Sequence, residues 1–166
     1  MAFDSTIGGA ESNSYATIAE LDAIFELRIN SGAWTALAES EKQAYAATAT
    51  MMIEAFVQWN FYKQSEDQAL WWPVSIYPDE IPSAIVRAVA EQILYMLTNG
   101  DSSINPKALM KGISEVKVEG IGITFDKRFI ANKLCDLLIG GLINGLGVVS
   151  GSAVGGGLSV HDVLKG

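Results

Sequence analysis

Apolar positions recur every three or four residues in three separate stretches of the chain, and past Pro106 that rhythm gives way to alternation. In the first stretch Ile18, Leu21, Ile24, Phe25 and Leu27 share a helical face behind Thr17 and Glu20, which have capping-box spacing. A helix is predicted over 18–30, stopped by Ser31-Gly32, with Trp34 and Leu37 in a short packed link. Ser40 and Gln43 repeat the cap spacing, and Ala44, Ala47, Met51, Ile53, Phe56 and Val57 carry the face of a second helix over 41–59. A third helix over 82–99 opens on Ile81-Pro82, because proline in the first turn lacks only an N–H that the helix leaves unpaired. It carries Ile85, Val89, Ile93, Leu94, Met96 and Leu97, and Asn99-Gly100 stops it.

Between the second and third helices lies QALWWPVSIYPDEIPSAIVR at 68–87. Pro73 biases Trp72 away from helical backbone, so Trp71, Trp72, Pro73, Ile81 and Pro82 read as a structural joint where the chain stops and turns. Beyond Pro106, Val116, Val118, Ile121, Ile123 and Phe125 alternate with Lys117, Glu119 and Thr124 about Gly120 and Gly122, which predicts a β-hairpin at about 113–126. A shorter fourth helix is expected over 127–139, with Phe129, Ile130, Leu134, Leu137 and Leu138 as its stripe. The expected architecture is therefore mainly α: a small helical bundle of three long helices plus a shorter fourth, with a short β-hairpin and an extended C-terminal tail. Residues 1–139 form the helical domain and 140–166 the tail.

That tail holds nine of the 16 glycines, interleaved with Leu142, Ile143, Leu146, Val148, Val149, Val154, Leu158, Val160, Val163 and Leu164. A flexible linker would lack those aliphatics, and so short a segment cannot bury them against itself, so these ten residues are expected to dock on a partner.

Charge narrows the functional classes. The net charge is -8, and residues 1–100 hold 13 acids against 4 bases. Such a body argues against generic attraction to phosphate backbones, which draws on Lys and Arg. Seven aromatics, Trp34, Trp59, Phe61, Tyr62, Trp71, Trp72 and Tyr77, could offer stacking platforms to single strands, but only Lys63 lies among them, and core packing is the favoured reading. Cys135 and His161 are the single cysteine and histidine. They exclude an intrachain disulfide and any histidine-pair metal site, and as a nucleophilic pair they are too far apart in sequence to be favoured over a core cysteine and a surface histidine. No glycine precedes a Lys-Ser or Lys-Thr of phosphate-loop type. No enzyme activity, cofactor or metal is expected. The N-terminus lacks a basic flank and apolar core of signal-peptide type, and the longest apolar run, at 137–149, is glycine-broken and shorter than a membrane span, so neither secretion nor a membrane partner is expected.

The order SYATIAELDAIF, a tryptophan-containing link, an alanine-rich helix, QALWWPVS and EIPSAIVRAVAEQIL resembles a phage family labelled DnaT-like single-stranded DNA-binding protein. The resemblance covers about residues 14–98, on Ser14-Tyr15, the segment from Leu70 to Pro73 and that from Ile81 to Ala84, and continues weakly through SEVKVEGIGITF. This family is similar in helical architecture to head-tail connector, or adaptor, proteins. That likeness implies a structural virion protein at the head-tail interface, assembled in the host cytoplasm as a homo-oligomeric ring of about twelve copies. In it, the ten tail aliphatics would meet the portal protein or neighbouring subunits, a tail or nozzle protein would follow, and genomic DNA would pass through without specific binding. The family label implies the alternative, a single-stranded DNA-binding replication accessory protein.

Overall fold

The computed structural model describes residues 2–99, 115–118, 121–124, 134–135 and 141–149. Four helices come first: α1 (Ile18–Glu26), the single-turn α2 (Gly32–Thr35), α3 (Glu39–Phe56) and, after the strand β1 (Val57–Trp59), α4 (Ser83–Asn99). Strands β2 (Glu115–Val118), β3 (Ile121–Thr124) and β4 (Gly147–Val149) follow. The fold is mainly helical, as the periodicity predicts.

The capping box of α1 forms as expected: Glu20 N–H donates to Thr17 Oγ1 at 3.2 Å, and Thr17 N–H to Glu20 Oε2 at 2.8 Å. The helix ends at Glu26 rather than residue 30, because Arg28 turns back, its N–H donating to Phe25 O at 2.9 Å. Its guanidinium forms a salt bridge with the buried carboxylate of Glu91 on α4. The expected Ser40–Gln43 cap is not used. Instead Glu41 Oε2 accepts from Ala38 N–H at 2.8 Å, half a capping box, since alanine has no side-chain acceptor. Pro82 sits one residue before α4, and its carbonyl accepts from Ile85 N–H at 2.8 Å.

The core gathers where α1, α3 and α4 meet, around Leu21, Phe25, Ile53, Ile85, Val89 and Ile93. Trp34 of α2 stacks on Phe25 with centroids 4.7 Å apart. Its indole N–H donates to Asp22 Oδ1 at 2.7 Å, and Lys42 Nζ reaches the same oxygen at 2.7 Å. The hydrogen bond from Lys42 holds the Asp22 carboxyl below its ordinary range against the opposing cost of burial, with a lesser contribution from the Trp34 hydrogen bond.

The second helix was expected to reach residue 59. It stops at Phe56, and Val57, Gln58 and Trp59 pair antiparallel with Val149, Val148 and Gly147. β-Branched Val57 and aromatic Trp59 take the extended backbone because a partner strand some ninety positions later supplies the ladder. The hairpin is present, with β2 and β3 antiparallel and Val118 opposite Ile121. The fourth helix expected over 127–139 is corrected at the two of its positions that are described: Leu134 and Cys135 are buried and non-helical, and Cys135 N–H donates to Gln92 Oε1 of α4 at 2.9 Å. The other positions of 127–139 lie outside the described residues. The short fourth helix is α2, earlier in the chain.

A second correction concerns the tail. Residues 141–149 fold back onto the body: Ile143 and Val149 are buried, Leu142 and Leu146 half-buried, and Asn60 N–H donates to Leu146 O at 2.9 Å. The aliphatics expected to await a partner pack in or against the core here, and Val148 alone among these five is exposed. Val154, Leu158, Val160, Val163 and Leu164 lie outside the described residues. No helix among the described residues is long and apolar enough to cross a membrane.

Candidate nucleic-acid interface

The joint between α3 and α4 is where chemistry concentrates. Its anchor is Glu54, on the last turns of α3. One carboxylate oxygen accepts from the Tyr15 hydroxyl and from Trp59 Nε1 at 2.9 Å, while the other accepts from the Trp71 backbone N–H at 3.0 Å. The Tyr15 oxygen in turn accepts from Trp72 N–H at 3.2 Å. Burial first, and the Glu54 charge second, push the Tyr15 hydroxyl well above the ordinary phenol range, so it remains a donor.

Gln68 is a second anchor. It is buried, and its amide nitrogen donates to the carbonyls of Leu70, Trp71 and Pro73 at 2.8–2.9 Å, while its oxygen accepts from Ser65 N–H at 3.0 Å. The loop's backbone thus wraps around one side-chain amide, in place of a helix or sheet ladder. The Trp72-Pro73 peptide is cis.

The joint residues divide by burial. Trp72 is 1% exposed, and Pro73 is buried beside it. Trp71, Ile81 and Pro82 are half-buried, and Trp71 Nε1 donates to Phe61 O at 2.7 Å. Of the seven aromatics considered as stacking platforms, Trp34, Trp59 and Trp72 are core, as favoured. Rings of Tyr15, Trp59, Phe61 and Tyr77 surround Trp72 or one another at 5.8–6.3 Å.

Two rings reach solvent, Tyr62 outside that packing and Tyr77 at its edge. Tyr62 is 86% exposed and Tyr77 38% exposed. They ride on one small patch of paired backbone: Lys63 bridges Val74, Val74 bridges Tyr77, and Ser75 N–H donates to Tyr62 O at 3.4 Å. Ile76 is exposed beside them. Buried Trp72 lies behind Tyr77 with centroids 5.9 Å apart, so the outer ring rests on a fixed support. Lys63 is the local cation. Its ammonium donates to Gln68 O at 3.1 Å and sits 6.0 Å from the Trp71 ring centroid. Exposed Glu66, Asp67, Asp79 and Glu80 follow in the same loops, so the patch presents aromatic faces in an acidic setting.

Such an arrangement can stack flat, unpaired bases but cannot track a phosphate backbone. Sequence patterning named both tyrosines without separating them from the core aromatics. The roles of Glu54 and Gln68 escaped it, since each acts through contacts formed only on folding. No cluster of His, Cys, Asp and Glu that could hold a metal exists among the described residues. Cys135 is buried, and His161 lies outside the described residues.

Against known proteins, a family model described as "Putative DnaT-like ssDNA binding protein" matches residues 1–153. No curated protein and no solved structure matches. The match overturns the head-tail connector expectation, because the family it identifies is described as one of single-strand binders. The alternative implied by the family label is the better supported.

Proposed function

The chain belongs to the DnaT-like single-stranded-DNA-binding family, and from that premise we propose that it binds single-stranded DNA by stacking bases on Tyr62 and Tyr77. The family match carries this reading. The exposed pair supports it, because exposed tyrosines, Tyr77 of them backed by buried Trp72, offer π-faces to any base without asking for sequence.

The acidic charge shapes the mode of binding. With one lysine at the platform, few counterions are released, so affinity rests on stacking and falls gently as salt rises. For about one phosphate neutralised, log K should decline against log salt with a slope of about -0.7 to -1. A lone copy is therefore a weak binder.

The test is fluorescence anisotropy with a labelled thymidine oligonucleotide at several salt concentrations. Tyr62→Ala should weaken binding by roughly 5- to 150-fold, from about 1–3 kcal/mol per stacked base, and Tyr77→Ala comparably. Both side chains are exposed, so circular dichroism should show the fold retained. Binding that survives the double substitution, or a slope steeper than about -3, would place the strand on a basic surface elsewhere and refute the assignment.

A further inference from the structure

Lys63 is the one basic residue between Trp59 and Arg87, a stretch that also carries Glu66, Asp67, Asp79 and Glu80. A lysine in such company has carboxylates to pair with, yet the ion pairs among the described residues are Arg28–Glu91 and Lys42–Asp22. Lys63 is half-buried, and its Nζ donates to Gln68 O at 3.1 Å and to Ala69 O at 3.5 Å. The ammonium lies 6.0 Å from the centroid of the Trp71 ring. Two loop carbonyls and an indole face thus stand where a counterion would.

Those contacts close a circuit around the exposed tyrosines. Between Trp59 and Ser83 the chain forms no helix and no strand, and Tyr62 and Tyr77 sit near opposite ends of that long connection. Backbone joins the two ends. Lys63 bridges Val74 and Val74 bridges Tyr77, while Gln64 N–H donates to Pro73 O at 3.3 Å and Ser75 N–H to Tyr62 O at 3.4 Å. These bonds are long and few, so side chains must add to them. The Gln68 amide gathers the carbonyls of Leu70, Trp71 and Pro73, and Lys63 ties the Gln68 carbonyl back to the segment that carries Tyr62. Extended backbone sends neighbouring side chains to opposite faces, so Tyr62 looks out to solvent while Lys63 reaches inward across the loop.

We propose that Lys63 is a positioning residue of the stacking platform: through its hydrogen bonds to the loop it holds the Tyr62 segment on Gln68, and so sets the spacing of Tyr62 and Tyr77. The role in binding rests on the single-strand reading above; the tie to the loop does not. Two bases stack at once only while both rings keep their places, and a loosened loop has its affinity divided by the fraction of time it is competent. The lysine charge adds to the shallow salt dependence, whereas the positioning acts through short-range hydrogen bonds that salt does not screen.

Charge and hydrogen bond are separable at this one side chain. Lys63→Cys removes both. Aminoethylation of the new thiol returns an ammonium at the place of Nζ, and carbamidomethylation puts a neutral amide N–H there. Buried Cys135 is shielded from both reagents, and mass spectrometry confirms a single addition. Anisotropy with the thymidine oligonucleotide at about 1 M salt, where the Debye length is about 3 Å, reads binding with phosphate attraction screened. There the unmodified Lys63→Cys protein should bind about five- to tenfold more weakly than the parent, and both adducts should recover to within about twofold of it. Equal binding by parent and unmodified variant would overturn the proposal. So would recovery by the ammonium adduct alone, which would make Lys63 a phosphate contact, and recovery by neither, which would trace the loss to something other than the donor.

Amide hydrogen exchange without DNA keeps this apart from the single-strand reading. In unmodified Lys63→Cys the Gln64 and Ser75 amides should exchange at least several-fold faster than in the parent, with protection restored by either adduct. Unchanged exchange would mean that Lys63 does not hold the loop and would overturn the proposal. Lost and restored protection in a protein whose parent binds no single strand would refute the single-strand reading and leave the tie standing.

Discussion

Replacing Glu54 by alanine removes one acceptor from three donors at once: the Tyr15 hydroxyl, the Trp59 indole N–H and the Trp71 backbone N–H. Tyr15 and Trp59 are buried, so their donors would be left in a poorly solvated setting. A hydrogen bond to a charged group contributes about 1.5–3 kcal/mol, and three independent ones would sum to several times that. They are not independent, because two share one oxygen, and Glu54 is half-buried, so water can replace part of what is lost. The expected loss is about 3 kcal/mol, which at about 2–4 °C per kcal/mol for a chain of this size lowers Tm by about 6–12 °C. Glu54→Gln should cost about half as much. Its carbonyl can still serve the Tyr15 and Trp59 side, but its NH₂ then faces the Trp71 N–H, donor against donor. Thermal melts followed by circular dichroism, read with tryptophan emission, check this, since loosening the joint exposes Trp59 and Trp71 and shifts emission to the red. Should Glu54→Ala melt within about 2 °C of the parent with unshifted emission, the carboxylate does not hold the joint.

Two further expectations address the joint and the returning strand. Trp72→Ala should cost about 3–5 kcal/mol by emptying the centre of the aromatic cluster, and Trp71→Ala clearly less, because its ring is half-buried; equal melting temperatures in denaturation scans would contradict that division. Gly147→Ala should destabilise by about 1–3 kcal/mol, because a Cβ there would lie 2.7 Å from Val57 Cγ1 and 3.0 Å from Gln58 O; faster amide hydrogen exchange confined to β1 and β4 is the signature, and an unchanged exchange pattern would argue against the pairing.

Local chemistry in the sequence was enough to place α1, α3 and α4, though not the short α2. The Thr17–Glu20 cap, the apolar faces of α1, α3 and α4, and the hairpin alternation are set by residues within a turn or two of one another, and each appears in the structure. The break at Trp72-Pro73 was equally legible, because proline restricts its neighbours whatever the fold. Family membership was also readable from the order of those motifs. The end of α3 was not, because Val57–Trp59 becomes a strand only when Gly147–Val149 arrives from the far end of the chain. The same distant pairing changed the reading of the tail, whose aliphatics looked unsheltered until the returning chain paired with β1 and left Ile143 and Val149 buried. Which aromatics face solvent was likewise decided by tertiary packing. Tyr62 and Trp72 are both aromatic, yet one is open and the other 1% exposed, because Glu54 and Tyr15 fix the loop's backbone from distant parts of the chain and Gln68 fixes it from within the loop. Periodicity reports the face a residue presents within its own element. Burial in a loop, and so the candidate site, depends on long-range hydrogen bonds that have no local pattern.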